Sequence, residues 1–316
     1  MKFYRIDHIA QLTSTLAEHA AVWETLFGFQ RISYWDNPPE GSQGVRLRIP
    51  GTWGQVWEIV APSGDNSPLQ SCLDSRGGRP GLHHVGVEVP DLGIAMEELT
   101  EKGIPVSQKS SEGWTEAPLI SPKDGPGVLF RFQGPGSRAF CGDSAANLAV
   151  GDRPQELPSL GIVAIDHICQ ASYDRDQMSG WYQRLAGFSE IWRTPDGKHA
   201  DMADLVLNIP GSSICWEVIM PWGENSFIER FLSKNGPAAH HVTFEVRDWE
   251  QAMAACRHYD IPTFDYDEGI TDQAHWCHAF IHPKQTGGIL VQLFWEERPG
   301  VWVRSDKISS PGGFGQ

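Results

Sequence analysis

The sequence predicts an α+β protein of two fused domains, each built from two βαβββ units. Three observations lead there. Four short motifs occur twice in the same order: Ile6-Asp7-His8-Ile9 returns as Ile165-Asp166-His167-Ile168, Ile49-Pro50-Gly51 as Ile209-Pro210-Gly211, Trp57-Glu58-Ile59 as Trp216-Glu217-Val218, and Leu82-His83-His84-Val85 as Ala239-His240-His241-Val242. Their offset is nearly constant, which marks a tandem duplication. Within each copy, strand-period and helix-period segments follow the order strand, helix, three strands, and do so twice. Finally, 316 residues are long for one core and comfortable for two.

The first strand is expected over 3–11, followed by a helix over about 14–27, with Ser14 as N-cap and Gly28 as stop. Leu16, Ala20, Trp23 and Phe27 recur at helical spacing and form its buried stripe. Strands follow around 30–34, 45–49 and 55–60, separated by Pro- and Gly-containing turns. The second unit has a strand over 83–89, a helix over 92–102 stopped by Gly103, and a last strand over 128–132. Residues 1–133 thus form the N-terminal domain. Residues 134–160 are rich in Gly and Pro without periodicity and read as a linker. The C-terminal domain, 161–298, repeats the plan, with helices over 175–185 and 249–258. Residues 299–316 read as a tail.

Composition narrows the function. Apolar residues are 40% and charged residues 21%, the balance of an ordinary soluble protein. No run of about 18 apolar residues is present, so no membrane partner is expected. Net charge is −15 with no basic run, which argues against nucleic acid. Six scattered cysteines without a Cys-x-x-Cys point to free thiols and a cytoplasmic location. Thirteen tryptophans suit core packing or a cavity for an apolar or aromatic ligand.

The repeated positions carry the chemistry. In the C-terminal copy His167, Glu217, His241 and Gln292 each fall on a strand at a corresponding place in its unit. If two units pack side by side, these side chains converge between them. Two imidazoles, a carboxylate and an amide oxygen suit a borderline divalent ion: Zn, Co, Ni, Mn or Fe(II). In the N-terminal copy His8, Glu58 and His84 recur, but the fourth position is Arg131. Either Arg131 turns outward and a three-ligand site survives, or it pairs with Glu58 and replaces the metal; a degenerate site is expected. His83 and His240 are one residue out of phase and should point away from the cavity. Asp204, His199 and His278 are the nearest candidates for proton transfer, with Asp201 beside them. Lys284 is either an anion ligand or an exposed turn residue.

These motifs resemble the vicinal oxygen chelate superfamily, which includes glyoxalase I, extradiol dioxygenases and methylmalonyl-CoA epimerase. The carriers are Asp166-His167-Ile168, Trp216-Glu217 with Pro221, the run from Ala239 to Val246, and the run from His282 to Leu293. The resemblance implies curved, partly open mixed sheets, each around a cavity, and a metal on His167, Glu217, His241 and Gln292. It implies a small-molecule substrate gripping the ion through adjacent oxygens, and a monomer or homodimer. In the epimerase-like pattern the second ligand is Gln and the fourth Glu; here Glu217 and Gln292 exchange them. The remaining family glutamate falls near Leu47 and Leu207. Both proton-transferring carboxylates of that branch are thus replaced. The expected function is a metal-dependent isomerase or epimerase. The alternatives are an Fe(II) ring-cleaving dioxygenase acting on an aromatic substrate, and a non-catalytic protein that sequesters a ligand.

Overall fold

The structure is a computed structural model. It describes residues 1–299 apart from 39–40, 53, 65–66, 108–109, 112–113, 116, 136–156, 196–200, 224–225 and 272. Most of the expected linker, nearly all of the expected tail, Cys141 and His199 lie outside the described residues.

The N-terminal half runs β1 (Arg5–Leu12), α1 (Leu16–Thr25), β2 (Gln30–Asn37), β3 (Ser42–Arg48), β4 (Val56–Pro62), α2 (Pro68–Ser75), β5 (Gly81–Glu88), α3 (Leu92–Glu101), β6 (Ser110–Ser111), β7 (Trp114–Thr115), β8 (Leu119–Ile120) and β9 (Phe130–Gln133). The C-terminal half runs β10 (Ile162–Ala171), α4 (Arg175–Ala186), β11 (Ser189–Arg193), β12 (Met202–Asn208), β13 (Cys215–Pro221), α5 (Phe227–Asn235), β14 (Ala238–Val246), α6 (Trp249–His258), β15 (Thr263–Thr271), β16 (Ala274–Ile281) and β17 (Leu290–Glu296). The expected α+β class and paired βαβββ plan are both present. Each half is built on one large mixed sheet, in the orders β2-β3-β4-β1-β5-β9-β8 and β11-β12-β13-β10-β14-β17-β16-β15, with β6 and β7 paired apart as a two-stranded ribbon. The first strands of the two units pair antiparallel at the centre, β1 with β5 and β10 with β14.

Helix ends follow capping chemistry. Asp91, Asp174 and Asp248 each accept a backbone N–H from three residues on, starting α3, α4 and α6. Gly187 closes α4 in the left-handed conformation. The expected cap of α1 is displaced: Thr15, not Ser14, holds the N-cap position and its side chain makes no capping bond. Helices α2 and α5 were not expected. Both follow a serine N-cap, Ser67 and Ser226, whose hydroxyl accepts from the second residue on. The repeated dipeptides Asn66-Ser67 and Asn225-Ser226 were their signal. Strand β16 carries His275 and His278.

The halves share one core. Trp23, Phe27 and Phe29 of the N-terminal half stand 5.8–6.1 Å from Phe244 of the other. Phe130 packs at 5.4 Å on Trp216, and Phe3 at 5.6 Å edge-on to Phe188. Each such ring contributes about 1.5–3 kcal/mol by burial, so separating the halves would expose the apolar surface that stabilises each.

Two glutamines complete the join in near-symmetric fashion. Gln11 accepts from Trp23 and Trp57 and donates to Thr286 O and Gly287 O at 2.8 Å. Gln170 accepts from Tyr182 and Trp216 and donates to Pro126 O. The turns they grip press against the opposite half: a Cβ on Gly288 (φ 90°) would lie 2.1 Å from Pro80 O, and one on Gly127 (φ 95°) 2.2 Å from Pro237 O. Only glycine fits both the conformation and the space.

Candidate metal centre

The cavity face of the C-terminal sheet is shaped by two bulges. The β10–β14 ladder pairs Ile165 with Phe244 and His167 with Thr243, leaving Asp166 as an extra residue. It then pairs Cys169 with His241 and Gln170 with Ala239, leaving His240 extra on β14. A bulge lets neighbours leave the strict alternation of a strand. Asp166 consequently reaches His167, whose Nδ1 donates to its Oδ2 at 2.7 Å. His240 folds beside His241, with the two Nδ1 atoms 2.9 Å apart and sharing one proton. His240 therefore borders the cavity, contrary to the outward direction expected from its phase.

Three predicted ligands meet. His167 Nε2 lies 3.3 Å from His241 Nε2 and 3.4 Å from Glu217 Oε2, and His241 Nε2 lies 3.5 Å from the same oxygen. Ligand atoms set about 2.1 Å from one ion have this mutual spacing. The donor set fits a divalent ion, and the Asp166 bond leaves His167 Nε2 facing the centre of the triangle. Gln292, the fourth predicted ligand, is buried on the same wall, but its amide oxygen accepts from Thr243 Oγ1 at 2.7 Å. Thr243 Oγ1 in turn lies 2.8 Å from His167 Nε2.

Charge is concentrated here. Burial opposes a proton on His167, but Glu217 and the hydrogen-bonded Asp166 outweigh it and raise the imidazole to about 10. Burial likewise pushes Glu217 up, and His167 more than reverses it, to about 2. His241 is driven well below its ordinary value, mainly by burial. Without an ion, the proton on His167 is thus the cation that balances Glu217. His167 Nε2 would give up that proton to hold an ion.

The triangle opens on a cavity of about 600 Å³, with Asp201, Asp204, His278 and Gln292 on its wall and Phe264 and Phe280 as apolar faces. Asp204 is raised to about 7, first by burial and then by the charge of Glu217. Leu207, where the family glutamate had been placed, is fully buried in the core and pairs with Trp216. The strand still presents a carboxylate to the cavity, through Asp204. His278 sits on β16 with its imidazole lowered, chiefly by burial. Lys284 is exposed, in a short 3-10 turn at Pro283–Gln285.

The N-terminal half holds the corresponding cluster His8, Glu58 and His84, all buried. Sequence reasoning looked to Arg131 for a competing cation. The residue that pairs with Glu58 is Arg46, whose Nε lies 3.7 Å from Oε1 and whose Nη2 lies 3.6 Å from Asp7 Oδ2. Arg131 acts on His84 instead, helping burial to keep that imidazole well below its ordinary value. The ring of His8 occupies the space over Gly86, where a Cβ would lie 2.1 Å from it, and bonds His84 Nε2 at 2.9 Å.

Comparison with known proteins agrees with this architecture. A curled pair of βαβββ units around a His/His/Glu cluster, present twice, defines the class. Residues 7–117 and 166–280 both match the glyoxalase/bleomycin resistance protein/dioxygenase superfamily, and the chain belongs to it. The ethylmalonyl-CoA/methylmalonyl-CoA epimerase of Cereibacter sphaeroides is 28% identical over 133 residues, 41% of this chain and 96% of that protein. The human mitochondrial methylmalonyl-CoA epimerase is 28% identical over 132 residues, 41% of this chain and 73% of that protein. Among solved structures, a triple mutant of 4-hydroxymandelate synthase from Streptomyces coelicolor superposes with a TM-score of 0.68, covering 94% of both chains at 14% identity. That likeness is one of fold. Among the described residues no helix is long and apolar enough to cross a membrane.

Proposed function

We propose that the chain is a divalent-metal-dependent enzyme whose C-terminal half isomerises or epimerises a small carbonyl or acyl substrate held through adjacent oxygens. The observation that carries this is the His167–His241–Glu217 triangle opening into a cavity with Asp204 on its wall. His167, His241 and Glu217 hold the ion, with the Gln292 amide oxygen as fourth donor. When bound, the ion supplies Lewis acidity to the substrate oxygens.

The chain's own residues supply the proton steps. Asp204, raised to about 7, is poised to take a proton from the carbon beside the carbonyl. Gln292 carries no ionisable group, so the base must come from elsewhere on the wall, and Asp204 is the cavity carboxylate outside the triangle that burial and charge tune toward neutrality. His278, once it has taken a proton from water, delivers it to the carbon from the other side, and Asp204 passes the proton it removed to water. Strands β12 and β16 lie on opposite sides of the central β10–β14 pair, so acid and base flank the bound substrate. Phe264 and Phe280 keep its apolar part out of water.

The donor set also favours a second reading. Two histidines and one carboxylate are the arrangement used by non-haem Fe(II) oxygenases. Metal analysis with a deuterium wash-in assay separates the two. The expected result is one Zn, Co, Ni or Mn per chain, lost in His241→Ala and kept in His84→Ala, with solvent deuterium entering the substrate without oxygen uptake. Iron with oxygen consumption would establish the second reading, and unchanged metal in His241→Ala would remove the site.

A further inference from the structure

The two halves meet across a second cavity of about 630 Å³. Its wall comes from the end of α2 and start of β5 on one side, and from the end of α5 and start of β14 on the other. Three cations stand in it: Arg76 and Arg79 just beyond α2, and Lys234 in the last turn of α5. Among the described residues no aspartate or glutamate lines it, in a chain whose net charge is −15. Arg76 Nη1 donates to Leu82 O at 2.9 Å and Arg79 Nε to Arg76 O at 2.8 Å, both backbone acceptors. Among the described residues, none of the three forms an ion pair with a carboxylate. His83 in the same wall is lowered to about 3, by burial and by the nearby Arg76 and Arg131, so it contributes a neutral ring. Like charges gathered in a concave, partly desolvated cleft concentrate a field that only an anion answers.

We propose that this cleft is a binding site for a phosphate-bearing ligand, assembled from both halves of the chain. Arg76 and Arg79 offer guanidinium forks that take two phosphate oxygens at once, and Lys234 adds a point charge from the facing side. One carboxylate would satisfy one of these groups; three cations match a di- or polyanion. Leu82, Val128 and Phe231 give the rest of the ligand an apolar floor. His240 and Leu290 border both this cleft and the metal cavity, so a ligand anchored here lies next to the triangle. The site rests on its own residues and stands whether or not the triangle holds a metal.

Calorimetric titration of inorganic pyrophosphate into the full chain tests it. The expected result is saturable binding near one per chain, weakened about tenfold by Arg79→Ala and again by Lys234→Ala. Both side chains are exposed, so neither change should disturb folding. His241→Ala, which removes a metal ligand, should leave this binding in place. Absence of saturable binding by the wild type would overturn the proposal. So would binding that His241→Ala abolishes and Arg79→Ala leaves untouched, because the anion would then sit at the metal centre.

Discussion

Where the C-terminal half has Val206 opposite Glu217, the N-terminal half has Arg46 opposite Glu58. Around that one position the halves carry the same buried His, Glu and His, and the same Asp beside the first histidine. The guanidinium answers Glu58 and Asp7 permanently, whereas Val206 brings Glu217 no cation, leaving it to the two histidines and the Cys169 thiol. On the other side, Gly86 lets His8 sink toward His84, while Thr243 in the corresponding place bonds His167 and Gln292. A buried carboxylate needs a counter-charge. One half has built that charge into the chain; the other leaves the place to a proton or an ion. Divergence at two positions is what distinguishes the surroundings of the two clusters.

Several experiments would break or sharpen this contrast. The largest effect belongs to Asp204→Asn, which should cut turnover by about 10²–10⁴-fold while leaving metal content unchanged, as its proposed role is to move a proton and not to ligate. In the wild type, Asp204 becomes the active base as pH rises, so kcat/KM should fall on the acid side. The inflection should lie at or below about 7, because a bound dication offsets the charge of Glu217 that helped raise it. That limb should be absent from any residual rate of the Asn variant. Next comes Arg46→Val, which copies the C-terminal residue into the N-terminal half. Removing one partner from a buried pair costs about 3–5 kcal/mol, so Tm should drop. Added Zn or Co should restore it and raise metal content to two per chain, a gain absent from the wild type. If the variant loses stability without recovering any in metal, the N-terminal cluster is not a latent site. The smallest effect is on affinity. Each ion entering the C-terminal triangle should release the His167 proton, so affinity should rise up to about tenfold per pH unit below about 10. Calorimetry in buffers of different ionisation enthalpy counts that proton directly.

The repeat, the strand–helix order and the three converging ligands were legible in sequence because they depend on period and spacing, which a duplicated chain prints twice. What could not be read were departures from period. Asp166 and His240 act on the ligand histidines only because the ladder skips them, and alternation alone sends His240 the wrong way. Arg46 was missed for a related reason. It sits in a strand of alternating type, Ser-Gln-Gly-Val-Arg-Leu-Arg, where an arginine reads as a solvated position, yet the Glu58 carboxylate draws it inward. Helices α2 and α5 were short enough for their apolar faces to be lost among turn residues, although their serine caps recur at matching places.

The crossed grip of the two glutamines carries a consequence for how the chain ages. Gln11 belongs to the half whose own cluster is filled by arginine, yet the turn it clasps leads directly into β17, the strand that bears Gln292. A shortened side chain at Gln11, or a methyl added to Gly288 in the clasped turn itself, would therefore misplace a wall of the cavity that Gln292 lines.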